Sequence, residues 1–420
     1  MKKLFTLLLV LTCYVGTASA TDYYVTGVSG ITNQTEGEWD AAYEGNKMED
    51  IGDGKYRLVV TGKSLTGGTG YQYKITDGQF GTGHDWGWSG GNAYFTPQFS
   101  GTYNITYIFD ATNENVYEAE ALLIDGPDIY LHSSLWWDDN DDYKFSNTDG
   151  IYTLEADVSS RTDVFYFRFR INGYDSDCGA STNGYSISTG IQKDYNIILN
   201  DGSYYGEKNF TLPLNTKPLA KIKLTLKFIN RKLVMDLQSY EKVTTNASGY
   251  ATFTNNYPLS ITGATAYYAT DNNDGSATAI SITNPAASTP MIIKGVESTT
   301  YYFAVAETGT DYSSTNAFHA GSGSALGAND GGGYNYILKG DAFYLANGNT
   351  VATNKAYLKL SEAATAKALI FMEDEETDGI KAVQNSVIKG NGEVYNLAGQ
   401  RVAKDYKGIV IKNGKKYMNK

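Results

Sequence analysis

Two short stretches, Asp53-Gly54-Lys55-Tyr56-Arg57-Leu58 and Asp149-Gly150-Ile151-Tyr152-Thr153-Leu154, lie 96 residues apart. The same offset carries Tyr71-Gln72-Tyr73-Lys74-Ile75 onto Phe167-Arg168-Phe169-Arg170-Ile171. Each copy opens with Asp-Gly, a pair that accepts the positive backbone angles of a tight turn, and runs on as an alternating strand. Two signals held at one offset predict a tandem repeat of a β-module of about 100 residues. Trp39, Trp86, Trp88, Trp136 and Trp137, all of the tryptophan in the chain, fall in or beside the copies.

The rest of the composition agrees with that reading. Tyrosine (35) and glycine (45) are abundant, charged residues make up 19%, and no long helical period appears in the 420 residues. Such a chain suits short strands joined by tight turns, so the expected class is all-β: tandem β-sandwich domains plus a small C-terminal β unit. A net charge of -12 argues against nucleic acid as a partner, since binding it needs a basic surface that displaces counterions.

Residues 1–20 read as a secretory signal peptide: Lys2-Lys3, an apolar run, and Ala18-Ser19-Ala20 before Thr21. The chain is therefore expected to be exported, to the cell surface, the outer membrane or the medium. Cys13 follows Thr12, a poor setting for lipidation, and Cys178 is then the single mature cysteine, expected as a buried thiol. The first module is placed at 22–124, with a Gly-rich loop at 77–92 that holds His84, Trp86 and Trp88. The second occupies 128–238. Within it, period two puts Phe165, Phe167 and Phe169 on a core face and Tyr166, Arg168 and Arg170 on a face that is exposed or paired. A third β-sandwich, rich in Ala, Thr and Gly, is expected at 240–372, an acidic linker at 373–385 and the terminal unit at 386–420. That tail has eight Lys or Arg against Glu393 and Asp405, so an acidic body ends in a basic segment with its own task.

Particular residues of module one resemble a known family: Trp39-Asp40, Met48-Glu49-Asp50, Gly52-Asp53-Gly54-Lys55-Tyr56 and Tyr71-Gln72-Tyr73-Lys74-Ile75-Thr76-Asp77-Gly78. The family is that of the starch-binding modules of SusE/SusF-type outer-membrane proteins, with the related pullulanase-associated carbohydrate-binding modules. Module two keeps the Asp-Gly-Ile-Tyr turn, Trp136 and the Arg170 strand and departs elsewhere. The resemblance implies non-catalytic, immunoglobulin-like sandwiches that hold glucan on aromatic rings with help from a basic or amide side chain. The tail, with Val394-Tyr395-Asn396-Leu397-Ala398-Gly399-Gln400-Arg401-Val402, Lys407-Gly408-Ile409-Val410-Ile411 and Asn413-Gly414-Lys415-Lys416, resembles the sorting domain of type IX secretion cargo. That implies the secretion machinery as a partner. Ser248-Gly249-Tyr250-Ala251-Thr252 resembles the start of an uncharacterised sandwich that often precedes such tails.

A flat apolar ring matches the C–H face of a pyranose, while nearby polar groups meet its hydroxyls. The expected carbohydrate site is therefore Trp86 and Trp88 with Lys74, joined by Trp39 on the family analogy, with Trp136 and Arg170 (and Arg168) in module two. Set against this, one indole can simply plug the sandwich end. Trp136 and Trp137 are adjacent, so on a strand one of them would face the core. Asp138, Asn140, Asp142 and Asp149 fall at calcium-loop spacing, but Tyr143 stands where glycine is required, and a solvated acidic turn is the better reading. Gly87-Trp88-Ser89-Gly90-Gly91 matches a nucleophile-elbow pattern with no helix after it, and so is a coincidence. His84, His132 and His319 lack metal spacing, and Gly321-Ser322-Gly323 is a loop and no phosphate cradle. No carboxylate pair stands apart from turn residues as glycosidase chemistry would need. The expectation is a non-enzymatic, exported cell-surface protein that needs no metal or cofactor and binds polysaccharide, an α-glucan such as starch, within an outer-membrane glycan-uptake complex. The alternatives are a structural or adhesive protein with sandwiches as spacers, or an accessory subunit of a glycoside hydrolase.

Overall fold

The computed structural model describes residues 21–134, 143–171, 178–199, 208–365, 368–374, 377–382, 394–396, 401–402, 407–412 and 415–419. The expected signal peptide, Trp136, Trp137 and the acidic run 138–142 lie outside the described residues. The chain is all-β, as its composition implied, in several antiparallel sheets.

The first module contains β1 (Tyr24–Gly27), β2 (Glu49–Gly52), β3 (Lys55–Leu65), β4 (Tyr71–Thr76) and β5 (Asp85–Trp86). It continues with β6 (Ala93–Phe95), β7 (Gly101–Asp110), β8 (Asn115–Val116) and β9 (Glu120–Leu123). A small sheet, β1-β4-β5 with β6 also on β4, packs on a larger one, β2-β3-β7-β9. Alternate residues meet between them: Val25, Tyr73, Ile75 and Phe95 face Val60, Ile105, Tyr107 and Phe109, all buried.

The second module repeats the plan with β10 (Ile129–Ser133), β11 (Ser146–Thr148), β12 (Ile151–Asp157), β13 (Phe165–Ile171) and β14 (Tyr185–Ser186). Then come β15 (Ile191–Ile197), β16 (Phe210–Leu212), β17 (Lys221–Ile229) and β18 (Lys232–Thr244). As β1 pairs β4 and β3 pairs β7, so β10 pairs β13 and β12 pairs β17. Both Asp-Gly pairs close two-residue hairpins, with φ of 53° and 71° at Asp53 and Gly54 and 49° and 83° at Asp149 and Gly150. Positive φ at both positions matches the turn to the twist of the strands it joins. Phe165, Phe167 and Phe169 are fully buried, and on the opposite face Arg168 is buried too, its guanidinium donating to Asn209 Oδ1 at 3.0 Å. The arginine face is thus a paired one, with Tyr166 its open member at 41% exposure.

The large sheets do not stop at the module boundaries. Leu122 of β9 pairs Ile229 of β17, and the turn that follows is bolted into module one by Asn230. Its side-chain oxygen accepts from Ala121 N–H at 3.0 Å, and its Nδ2 donates to Ala119 O at 2.9 Å and Glu118 Oε1 at 3.0 Å. Gly150 also needs its missing side chain here, because a Cβ would lie 2.4 Å from Leu123 O. At its other end β18 runs on to pair with a strand of the third unit, from Tyr240 opposite Ala304 to Thr244 opposite Thr300. One sheet of twelve strands therefore crosses all three units.

The third unit opens with β19 (Tyr250–Thr254), β20 (Leu259–Ser260), β21 (Thr265–Asp271), β22 (Ala277–Ile282), β23 (Pro290–Lys294) and β24 (Thr300–Val305). After these come β25 (Phe318–Ala320), β26 (Ala325–Leu326), β27 (Tyr334–Lys339), β28 (Ala342–Leu345) and β29 (Asn349–Thr350). β30 (Ala356–Leu360), β31 (Ala368–Asp374) and β32 (Thr377–Ala382) complete it. β24 and β20 finish the long sheet, and ten strands make the facing one, in the order β19-β23-β21-β22-β32-β31-β28-β27-β30-β25. That sheet curls until its ends meet: Thr254 N–H reaches Asn354 O at 3.0 Å and Ala317 N–H reaches Ala269 O at 2.6 Å. The curl encloses a second core around Ile292, Phe318, Phe343 and Leu358. The acidic stretch expected as a linker over 373–385 is corrected here. Glu373 pairs Asp378 within the β31–β32 hairpin, so its first part belongs to the third unit. Charge gathered at a hairpin end has the composition of a linker, which is why the two look alike in sequence. In the tail, β33 (Val394–Asn396), β34 (Arg401–Val402), β35 (Gly408–Lys412) and β36 (Lys415–Asn419) form a separate small sheet.

Glu241 of β18 sits at the joint between the second and third units, 3% exposed. Its carboxylate accepts from the backbone N–H of Asn256 and Tyr257, both at 2.8 Å, and from Asn256 Nδ2 at 3.1 Å. Burial raises its pKa to about 7 from 4.5, with these hydrogen bonds pulling the other way. A carboxyl that holds its proton more tightly when folded stabilises most below its unfolded pKa, and that contribution is lost as pH rises through the folded one. The melting temperature is therefore expected to fall between pH 5 and 8, by an amount worth up to roughly 3 kcal/mol, and Glu241→Gln should flatten the profile. Asn230→Ala should cost about 3 kcal/mol in urea denaturation, because it strands buried backbone groups and puts alanine at a left-handed φ of 54°. Asn230→Gly should recover the backbone part of that loss.

Candidate functional site

The small sheet of module one carries the candidate site, and its alternation decides which residues can share a surface. Residues directly opposite across paired strands point to the same face. On β4, Tyr73 and Ile75 point inward, so Gln72 and Lys74 point outward. Register places Tyr94 of β6 opposite Gln72 and Asp85 of β5 opposite Thr76, both on the outer face, and Trp86 opposite Ile75, on the inner one.

Lys74 and Trp86 therefore stand on opposite faces of one sheet and do not converge as their spacing suggested. Trp86 lies half-buried against Tyr23, with ring centroids 5.6 Å apart, and against Phe109 at 5.1 Å. It closes the end of the sandwich core. Lys74 is held by Asp85 at 3.1 Å, with both side chains under a fifth exposed. The segment 28–43 roofs this part of the face. Thr76 donates its hydroxyl to Ala41 O, Thr26 is fully buried, and Trp39, left-handed at φ 57°, donates its backbone N–H to Gly27 O. Trp39 is half-buried within that roof.

Beyond the roof the face is open. Tyr94 is 54% exposed, and Trp88 meets it edge to face at 4.9 Å. The indole N–H of Trp88 donates to Val116 O at 2.9 Å, which fixes the ring that supports Tyr94. Beside them Asn92 Nδ2 donates to Gln72 Oε1 at 2.8 Å, with Gln72 exposed and Asn92 half-buried. Trp88 parts from Trp86 because β5 ends at Trp86. Ser89 and Gly90, at φ 50° and 77°, then make a tight turn closed by Gly91 N–H on Trp88 O. That turn is also what the Gly-x-Ser-x-Gly pattern represents, with no helix after it. The preceding loop is cinched by His84 Nδ1 and Asp77 Oδ2 at 2.7 Å and presents Phe80, 49% exposed.

In module two Arg170 faces Tyr130 across β10–β13, as Lys74 faces Thr26 across β1–β4, and is half-buried. Trp136, expected beside it, lies outside the described residues. Cys178 is buried, and among the described residues no group of three or more His, Cys, Asp or Glu is placed to hold a metal.

Chemically, the open patch is a flat one of phenol, indole edge and amides, without a carboxylate pair across a cleft. Tyr94, Gln72, Asn92 and Asp85 escaped sequence reasoning. The one available signal was the three-residue alternation Ala93-Tyr94-Phe95, which is too short to stand out from a glycine loop. No family model matches this sequence, and no curated protein matches it either. Because Trp86 is part of the core and Tyr94 is not, Trp86→Ala should cost about 3 kcal/mol in denaturation. Tyr94→Ala should stay within about 1 kcal/mol of the parent in the same titration.

Proposed function

We propose that this chain is a non-catalytic, exported polysaccharide-binding protein that holds an α-glucan such as starch at the cell surface. The observation that carries the reading is the open Tyr94 ring, braced by a fixed Trp88 and flanked by the Gln72–Asn92 amides on the outer face of a rigid sandwich. A pyranose laid on Tyr94 would use its C–H face against the ring and its hydroxyls against the amides. An open surface of this kind suits a long polymer better than a small enclosed ligand. Lys74 and Trp39 would contribute at the rim of the roof, and Arg170 would serve a second, tethered site in module two, where avidity offsets the weakness of either alone. Export and use of the basic tail by the secretion machinery belong to the same proposal.

The competing reading, a structural or adhesive protein whose sandwiches act as spacers, is favoured by one observation: the twelve-stranded sheet locks the three units together as a spacer would require. Affinity electrophoresis of residues 21–420 in gels with and without starch separates the two. Retardation in starch that is lost in Tyr94→Ala and Trp88→Ala, with both variants still folded, is the expected result. Unchanged mobility in starch and in a panel of other glycans would overturn the glucan reading in favour of the spacer.

A further inference from the structure

In an acidic chain, Lys355 is an anomaly. It lies half-buried between β29 and β30, and its backbone is pinned by two bonds to its carbonyl, from Gly321 N–H at 2.8 Å and Thr254 Oγ1 at 2.9 Å. No carboxylate pairs with its ammonium among the described residues. Burial alone holds its pKa below the ordinary lysine value, with no opposing charge to restore it. A cation left in this state is unfavourable unless something else neutralises it.

The side chain lines a cavity of about 460 Å³ where the two ends of the curled sheet meet. Lys339, at the end of β27, lines it too, and no Asp or Glu does among the described residues. Neutral donors and acceptors complete the wall: Thr244, Tyr250, Thr252 and Asn349. Ile337 and Val351 add an apolar surface. In a protein with a net charge of -12, two lysines facing one cavity without a carboxylate make a local positive field. The volume is within the range of small-ligand sites, and its mixture of hydroxyls, an amide and aliphatic wall suits a hydroxylated molecule.

We infer that this cavity is a second ligand site, for a small hydroxylated anion such as a sugar acid or sugar phosphate, with Lys355 and Lys339 as its charge partners. An anion here would supply the countercharge Lys355 lacks, and charge-assisted hydrogen bonds of this kind are stronger than neutral ones. The site lies in the third unit, away from Tyr94, and does not depend on the glucan reading.

Isothermal titration of the exported chain with glucuronate, glucose 6-phosphate and glucose tests it. Both anions, or one of them, should bind at least about ten-fold more tightly than glucose, and the better of the two tells carboxylate from phosphate. Lys355→Met should weaken the anion about ten-fold or more while leaving the melting temperature unchanged or raised, since it removes an unpaired cation. Lys355→Gln, which keeps a polar head, should lose the anion to a similar extent and serves if the methionine variant does not fold. Equal binding of glucose, no binding of either anion, or unchanged affinity in the folded Lys355 variant would overturn the inference.

Discussion

The architecture depends on main-chain hydrogen bonding that passes from one unit to the next. A sheet edge is a row of unmet N–H and C=O groups, and three separate sandwiches would expose several of them. Here the edges at the joints are used up: β9 meets β17, and β18 extends beyond its own module to meet β24. Around these seams lie the polar groups that have no business in a core unless they are satisfied. The Asn230 side chain bonds Ala119, Ala121 and Glu118, and Glu241 is capped by Asn256 and Tyr257. Both seams are therefore directional as well as adhesive, because a shift of one residue would leave buried polar atoms without partners.

Local rules made much of this visible in the chain itself. Asp53-Gly54 and Asp149-Gly150 announce their hairpins because few other dipeptides accept that turn, and Phe165, Phe167 and Phe169 announce their face through strict alternation. What alternation does not carry is which backbone lies next to which. Nothing about Leu122 or Ile229 marks them as partners, because the bonds that join them are made by atoms every residue has. The acidic run at 373–378 resembles a linker for a related reason: composition reports charge, and both a hairpin end and a linker are charged.

The candidate site was legible in kind and not in arrangement. Aromatic residues in a glycine loop single out residues 77–92, and the open Tyr94 follows directly on β6. Their grouping differs from the expected one because Trp86 ends a two-residue strand on the core side, whereas Trp88 lies beyond that strand and opens the turn at Ser89 and Gly90. Lys74 looked available because its partner, Asp85, is eleven residues away on a strand too short to recognise. Tyr94, the most open ring of the group, sits on a three-residue strand whose alternation fades into its surroundings.

One feature of the long sheet bears on mechanics. β18 spans thirteen residues, with its first part in the second module and its last in the third. A tug on the tail is delivered to the third unit, and β18 would pass it to the second along the strand direction. Antiparallel neighbours loaded along their length must slide, breaking many hydrogen bonds together, whereas strands peeled from an end break them in succession. A single strand shared by two units thus makes their junction a shear joint, suited to a molecule whose two ends are held by different things.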